Sequence, residues 1–403
     1  MLKVAIDGRS LRSRVPRGWD RYTIELVARL PKFGVQPILL CRQGEPLAPE
    51  HVAAARCPVL EIPARRVLEW EQLALPRRLA AEKFDVYHAV AERGIPLLCP
   101  CPAVLTLHSL TSQSYASLIL SGQLSGSVED YIGPAGSVFG ARYAQAQFRM
   151  ADHIIAPSRF CADEIENLLP APASKITVTP LGIPQTFTGP TTTTTTAAAI
   201  RQRHGIRQPY LIYVGGYERH KNVAGLLKVW ERVSQERPDI DLVLVGTSHV
   251  PDDLRSSVND SRVHFLVDVS DELVPLYDGA SLFVSMSWRE SFCLPALEAL
   301  RRGVPVVASR WGATKEVVGD SQTLVDPRDV DEALRAVLMV LRDPPSPESL
   351  RLRAAKFTWD ACAELTFGVY ESMCRGSSTF RSAVRVGKRT AAAVRVGLGT
   401  LPG

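Results

Sequence analysis

The sequence predicts an α/β protein of two doubly wound parallel-sheet domains facing a cleft. Three observations predict it. Short apolar runs alternate with amphipathic stretches along most of the 403 residues. A low-complexity run breaks that alternation near the middle, and the alternation then restarts. Strands covered by helices on both faces read as unbroken apolar runs, as these do. The length and the 46% hydrophobic content exceed what one ordinary core needs and suit two domains.

In chain order, Val4-Ala5-Ile6 reads as a buried strand and Tyr22 to Leu30 as a helix with apolar residues three and four apart. Pro37 to Leu40, Asp85 to Tyr87, Ala103 to Leu107, Ile154 to Ala156 and Ile176 to Val178 read as further strands, closing a first domain over 1–185. Thr186 to Ala199 holds Gly189-Pro190, the six threonines Thr191 to Thr196 and three alanines. It has no period and little to bury, so 186–205 is expected to be a linker. Strands then recur at Tyr210–Val214, Leu242–Val245, Val263–Val267, Leu282–Ser285 and Val304–Val307. Helices are expected near Val223–Arg237, Pro295–Arg302 and Val330–Leu341, giving a second domain over 206–373. Ligands of open α/β sheets bind at the carboxyl ends of the strands, so both domains should present their ligand edges to the cleft.

The formal net charge is +5, and six of the 47 lysines and arginines lie in 374–403, which has no acid. The remainder is close to neutral, which argues against a nucleic-acid-coating protein. The tail repeats Ala383-Val384-Arg385-Val386-Gly387 as Ala393-Val394-Arg395-Val396-Gly397. It is expected either to be disordered or to lie on an anionic membrane surface. The apolar run after Lys3 stops at Asp7, which predicts no signal peptide, and no window reaches the ~18 apolar residues of a membrane span. A cytoplasmic location with free thiols follows, since the eight cysteines show no zinc-like spacing.

Three segments carry chemistry. In Ser287-Trp288-Arg289-Glu290-Ser291-Phe292-Cys293-Leu294-Pro295-Ala296-Leu297-Glu298, two glutamates stand eight apart around a predicted helix start. Pro295 suits a first helical turn, and the helix N-terminus with its loop amides makes an anion site. Carboxylates also accept well from paired sugar hydroxyls. Taken alone, the two glutamates serve equally well as solvated helix-end residues. In Tyr213-Val214-Gly215-Gly216-Tyr217-Glu218-Arg219-His220-Lys221, a strand ends at two glycines before a basic turn that could neutralise a diphosphate. Arg17-Gly18-Trp19-Asp20-Arg21-Tyr22 brings a third helix start toward the cleft. Asp239-Ile240-Asp241 has the form of an Asp-x-Asp metal motif but reads as a solvated turn.

Together these segments resemble the retaining GT-B glycosyltransferases of family four, in particular their bacterial mannosyltransferase-like branch. The most specific stretch is Asp271 to Asp326, with Gly303-Val304-Pro305-Val306-Val307-Ala308-Ser309 and Glu316-Val317-Val318-Gly319-Asp320 following the glutamates. Trp70-Glu71-Gln72-Leu73, Asp85-Val86-Tyr87-His88, Thr106-Leu107-His108 and Pro180-Leu181-Gly182-Ile183 are similar to its landmarks in the first half.

The resemblance implies two Rossmann-like domains and metal-independent transfer of a mannose- or glucose-type hexose to a glycan or lipid-linked acceptor. A nucleoside-diphosphate sugar is the implied co-substrate, with no further cofactor. Glu290 would hold the donor sugar, Glu298 the ribose, and Arg219 and Lys221 the diphosphate. Gly18, Gly215, Gly216, Phe292, Cys293 and Leu294 would line the donor, and His108 the acceptor side. Asp20, Ser291 and Cys293 stand where the family usually has glycine, and Gly216 where many members have arginine. Two other readings are a GT-B-fold nucleotide-sugar epimerase and a non-catalytic nucleotide-sugar-binding protein.

Overall fold

The computed structural model describes residues 1–12, 18–90, 94–108, 111–127, 147–169, 171–189, 196–207, 209–246, 249–319 and 323–375. Arg17, Thr191 to Thr195, Asp320 and the tail repeats lie outside them.

Seven parallel strands build the first sheet: β1 (Leu2–Asp7), β2 (Val35–Arg42), β3 (Val59–Ile62), β4 (Val86–Ala89), β5 (Ala103–Thr106), β6 (His153–Ala156) and β7 (Ile176–Val178). Their order is β3-β2-β1-β4-β5-β6-β7. Six more build the second: β8 (Tyr210–Gly215), β9 (Asp241–Gly246), β10 (Val263–Val267), β11 (Leu282–Ser285), β12 (Val306–Ser309) and β13 (Thr323–Val325), in the order β10-β9-β8-β11-β12-β13. Every paired strand is parallel, and β4, β5, β6, β11 and β12 are buried at all four positions. The edge strands β3 and β13 escape the sequence reading because they are only partly buried and carry Glu61 and Thr323, so neither stands out as a continuous apolar run.

The helices used below are α1 (Gly18–Arg29), α2 (Arg159–Leu168), α3 (Ala197–His204), α4 (Val223–Glu236), α5 (Leu294–Arg302), α6 (Thr314–Val318) and α7 (359–375). In each sheet the order reverses once, between β1 and β4 and between β8 and β11. A crevice opens at such a reversal, beyond the carboxyl ends of the strands. The loops after β8 and β11 therefore converge, and they carry Lys221 and Glu290.

Two folded features lie at the expected domain boundaries. Within the expected linker, α3 is a folded helix: Thr196 Oγ1 caps it by accepting from Ala199 N at 3.2 Å, and Ile200 is buried. His204 and Arg203 pair with Glu272 of the second domain. Phe187 is buried as well, in the turn Gln185–Phe187. At the other end, α7 runs through the expected domain end at 373 as far as 375 and packs on the first domain. Tyr370 Oη lies 2.7 Å from His88 Nδ1, the Phe367 ring stacks on Phe33, and Asp360 pairs with Lys32 and Arg29. A Cβ on Gly182 would stand 2.1 Å from Trp359 N, so only glycine admits the crossing chain there. One apolar cluster consequently joins Val4, Tyr22 and Ile155 of the first domain to Leu297, Trp359 and Tyr370.

Candidate active site

The loop after β8 is built from side-chain constraints. Tyr213 Oη donates to Gly216 O at 2.6 Å, and a Cβ on Gly216 would overlap the Glu218 carboxylate. A tight turn over Arg219–Lys221 follows. Asn222 then adopts φ 50°, and its side chain caps α4 by accepting from Gly225 N while donating to Met286 O at 2.9 Å. That last bond, with Trp288 N donating to His220 O at 2.9 Å, ties the loop to the one after β11.

Lys221 Nζ stands 2.9 Å from Glu290 Oε1 and 3.2 Å from Oε2. Burial alone would push the Glu290 carboxyl up, but Lys221, a bond from Ser287 and the His220 charge hold it below its ordinary value. Burial likewise opposes the charge on Lys221, yet Glu290 raises its pKa. The site thus contains an ionised, partly buried pair at neutral pH. Arg219 is exposed in the same turn, two residues away.

The chain leaves Glu290 through Ser291, Phe292 and Cys293 into α5. Phe292 is buried and packs edge-on to Phe357. Cys293 caps α5 with φ 73°, a left-handed backbone that favours glycine. Its thiol is buried, and burial followed by the Glu290 charge pushes its pKa up. Leu294 opens the helix, Pro295 occupies its first turn, and Gly303 ends it. Glu298 is buried on α5, and its carboxyl is pushed up by burial against the pull of Arg21. It accepts from Arg21 Nη1 and from Tyr277 Oη, the latter at 3.2 Å.

On the first-domain side, Gly18 opens α1, and a Cβ there would meet nothing within 4 Å among the described residues. Asp20 is buried in the first turn. His108 follows β5, is buried, and has its ring 4.9 Å from that of Tyr22. Burial lowers its pKa to about 4, so it is neutral at pH 7. Its Nε2 has no hydrogen-bond partner among the described residues. An orphaned buried donor or acceptor is costly. His88 differs: Tyr370 and Thr106 engage both its ring nitrogens at 2.7 Å.

The Asp-x-Asp pair has structural partners. Asp239 pairs with Arg237. Asp241, expected in a solvated turn, is instead fully buried at the start of β9, where Arg207 and His264 take its oxygens.

Two family models match the two halves in succession: Glycosyltransferase Family 4 over residues 16–187 and Glycosyl transferases group 1 over 208–343. Glycogen synthase of Mycobacterium tuberculosis is 31% identical over 311 residues, 72% of this chain and 70% of that protein. The chain belongs to glycosyltransferase family 4. The O-antigen chain mannosyltransferase B of Escherichia coli is 32% identical over 229 residues, 54% of this chain. An α-(1→4)-mannosyltransferase of Mycolicibacterium hassiacum is 37% identical over 165 residues, 38% of this chain. The chain spans 60% and 40% of the lengths of those two relatives. Among solved structures, sucrose-phosphate synthase of Thermosynechococcus elongatus superimposes with TM-score 0.71 at 20% identity, over 93% of this chain and all of that one. Anabaena HepE in complex with UDP-glucose gives 0.70 at 18%, over 92% of this chain and all of that one. The fold is GT-B.

In this family 4 glycosyltransferase, sequence reasoning singled out Glu290, Glu298 and Lys221 and gave no role to the first-domain groups that engage their neighbourhood. Arg21 reaches Glu298 from α1. Ser158 Oγ donates to Ser291 O at 2.8 Å, and Arg289 Nε donates to Glu164 Oε1 at 3.0 Å. These contacts join residues more than 120 apart in sequence, so no local spacing announces them.

Proposed function

We propose that the protein is a retaining, metal-independent hexosyltransferase. It moves a mannose- or glucose-type sugar from a nucleoside diphosphate to a glycan or lipid-linked acceptor. The observation that carries this reading is the Lys221–Glu290 pair at the reversal of the second sheet, beside the N-terminus of α5 with Glu298 on that helix.

The difficult step is breaking the anomeric C–O bond while a diphosphate departs with its charge. Fixed positive groups at the departing oxygens are the main catalytic tool for such a step. Lys221 supplies a protonated ammonium, Arg219 a guanidinium from the same turn, and the amides of Phe292, Cys293 and Leu294 a helix N-terminus. Gly215 and Gly216 let the strand end approach the phosphates, and Gly18 gives similar access from the first domain. Glu290 is ionised and accepts from hexose hydroxyls. Glu298, satisfied by Arg21 and Tyr277, retains lone pairs for the ribose diol. His108, held neutral, uses its free Nε2 to bind a sugar or acceptor hydroxyl. A lipid-linked acceptor would bring the protein to a membrane surface, with the basic tail as the contact. Among the described residues, no helix is long and apolar enough to cross a bilayer.

The test is a thermal-shift panel of nucleoside diphosphates and nucleotide sugars, followed by release of nucleoside diphosphate from the donor that binds. A ligand selective for the folded state raises the melting temperature. Glu290→Ala is expected to abolish transfer, losing at least ~100-fold in kcat. A variant as active as the parent would remove Glu290 from the mechanism.

A further inference from the structure

Glu290 is held from both sides by a helix that belongs to the other domain. The residue before it, Arg289, pairs with Glu164 of α2 and lies over the Phe160 ring at 5.4 Å. The residue after it, Ser291, accepts at its carbonyl from Ser158, the capping residue of α2. A third connection is longer. Glu290 O accepts from Ala313 N at 2.8 Å, and Glu290 forms a single β-bridge with Gly312. Three residues past Ala313, the Glu316 carboxylate accepts from Arg159 N at 2.8 Å and from Phe160 N at 2.6 Å.

The chemistry of α2 explains the grip. A helix begins with amides that have no partner inside the helix. Ser158 Oγ satisfies Cys161 N, and the two preceding amides are satisfied from across the cleft by an anion, where the helix dipole favours negative charge. Donors and acceptor belong to different domains, so parting the domains breaks the bonds to Glu316. The other end of α6 is fixed within its own domain by Arg353, which donates to Val317 O at 2.8 Å. Movement of α2 relative to Glu316 is therefore transmitted to the backbone at Glu290.

We propose that Glu316 is a positioning residue: by capping α2 across the cleft, it couples domain closure to the placement of the Glu290 carboxylate. This rests on the function proposed above. Nucleotide binding to the second domain does not need the cap, whereas the chemical step does. Displacement of a reacting group by about 1 Å can cost ~100-fold in rate.

The experiment compares the full chain with Glu316→Ala and Glu316→Gln in three measurements. These are nucleoside diphosphate affinity by calorimetry, kcat and KM for the donor identified by the panel, and hydrogen exchange at the Arg159 and Phe160 amides. Glu316→Ala is expected to lower kcat about 100-fold, keep the nucleoside diphosphate Kd within about threefold and expose both amides to exchange. Glu316→Gln, whose carbonyl oxygen still accepts, should recover most of the rate and the protection. Parental exchange in Glu316→Ala, or loss of rate and nucleotide affinity in parallel, would overturn the proposal. Should the parent turn over no nucleotide sugar, the proposed function fails. The exchange measurement still decides whether Glu316 caps α2. If Glu316→Ala does not fold, Glu164→Ala tests the same coupling through Arg289, with the same kcat-against-Kd split expected.

Discussion

At the scale of single residues, the glutamate loop depends on two backbone conformations. Cys293 has φ 73° without being glycine, a conformation disfavoured by about 1 kcal/mol or more. Gly312 has φ 92°, and a Cβ there would stand 2.4 Å from Glu290 O. Gly312→Ala is accordingly expected to lower stability by about 2 kcal/mol or more, read from urea unfolding, and to reduce transfer activity because the Glu290 backbone must shift. The resemblance to family four flagged Cys293 and Ser291 as departures from glycine. The structure gives the physical side of that pattern: position 293 requires a left-handed backbone. Arg21 and Glu316 stand in segments that the sequence singled out but carried no role there, and Ser158 left no trace, since an arginine in a first helical turn or a glutamate in a short helix is ordinary on its own.

A second pair of residues governs acid sensitivity. Burial lowers His88 to about 3 and His108 to about 4, both beneath the usual histidine value of 6.5. The unfolded chain then binds protons that the folded chain refuses. Their contribution to stability is complete above about pH 6.5 and declines as pH falls toward 4 for His108 and 3 for His88. Each should cost about 1.4 kcal/mol per pH unit across its window. Unfolding measurements from pH 7 to 4 should show this slope, and His88→Gln should flatten it by about one proton's worth. An unchanged slope in that variant would mean that His88 titrates normally.

At the scale of elements, the decisive unit is the turn that leads from β8 into α4. Asn222 there combines a left-handed backbone, a helix cap and two bonds to neighbouring loops. Asn222→Ala should destabilise by about 2 kcal/mol and move Lys221 away from Glu290. Asn222→Gly, which tolerates φ 50° and costs little at a cap, should lose distinctly less stability while still weakening donor binding. Most elements were legible because fully buried strands read as short unbroken apolar runs and strongly amphipathic helices carry a clear period. The helix α3 was not. Its three alanines follow a threonine run, and composition concealed both the cap at Thr196 and the single buried anchor, Ile200.

At the scale of the whole molecule, two α/β units were legible from the interruption and restart of the alternation. The path of the last helix was not, because apolar spacing identifies a buried face without identifying what covers it. In α7 that face meets Tyr22, Phe33 and His88 instead of the adjoining sheet. The clasp at α2 and the crossing at Gly182 are two places where the domains meet; the clasp is the one that closure makes and opening breaks, so hinge motion proceeds around the crossing.

The crossing of α7 also has a bearing on how the protein is made. Translation delivers 1–185 early, yet the surface around Tyr22, Phe33 and His88 waits for residues near 359–375 before it is covered. During the intervening stretch of synthesis, a nascent first domain displays an unsealed apolar groove. Premature termination anywhere beyond the second sheet would leave that groove open for good, even with every strand in place.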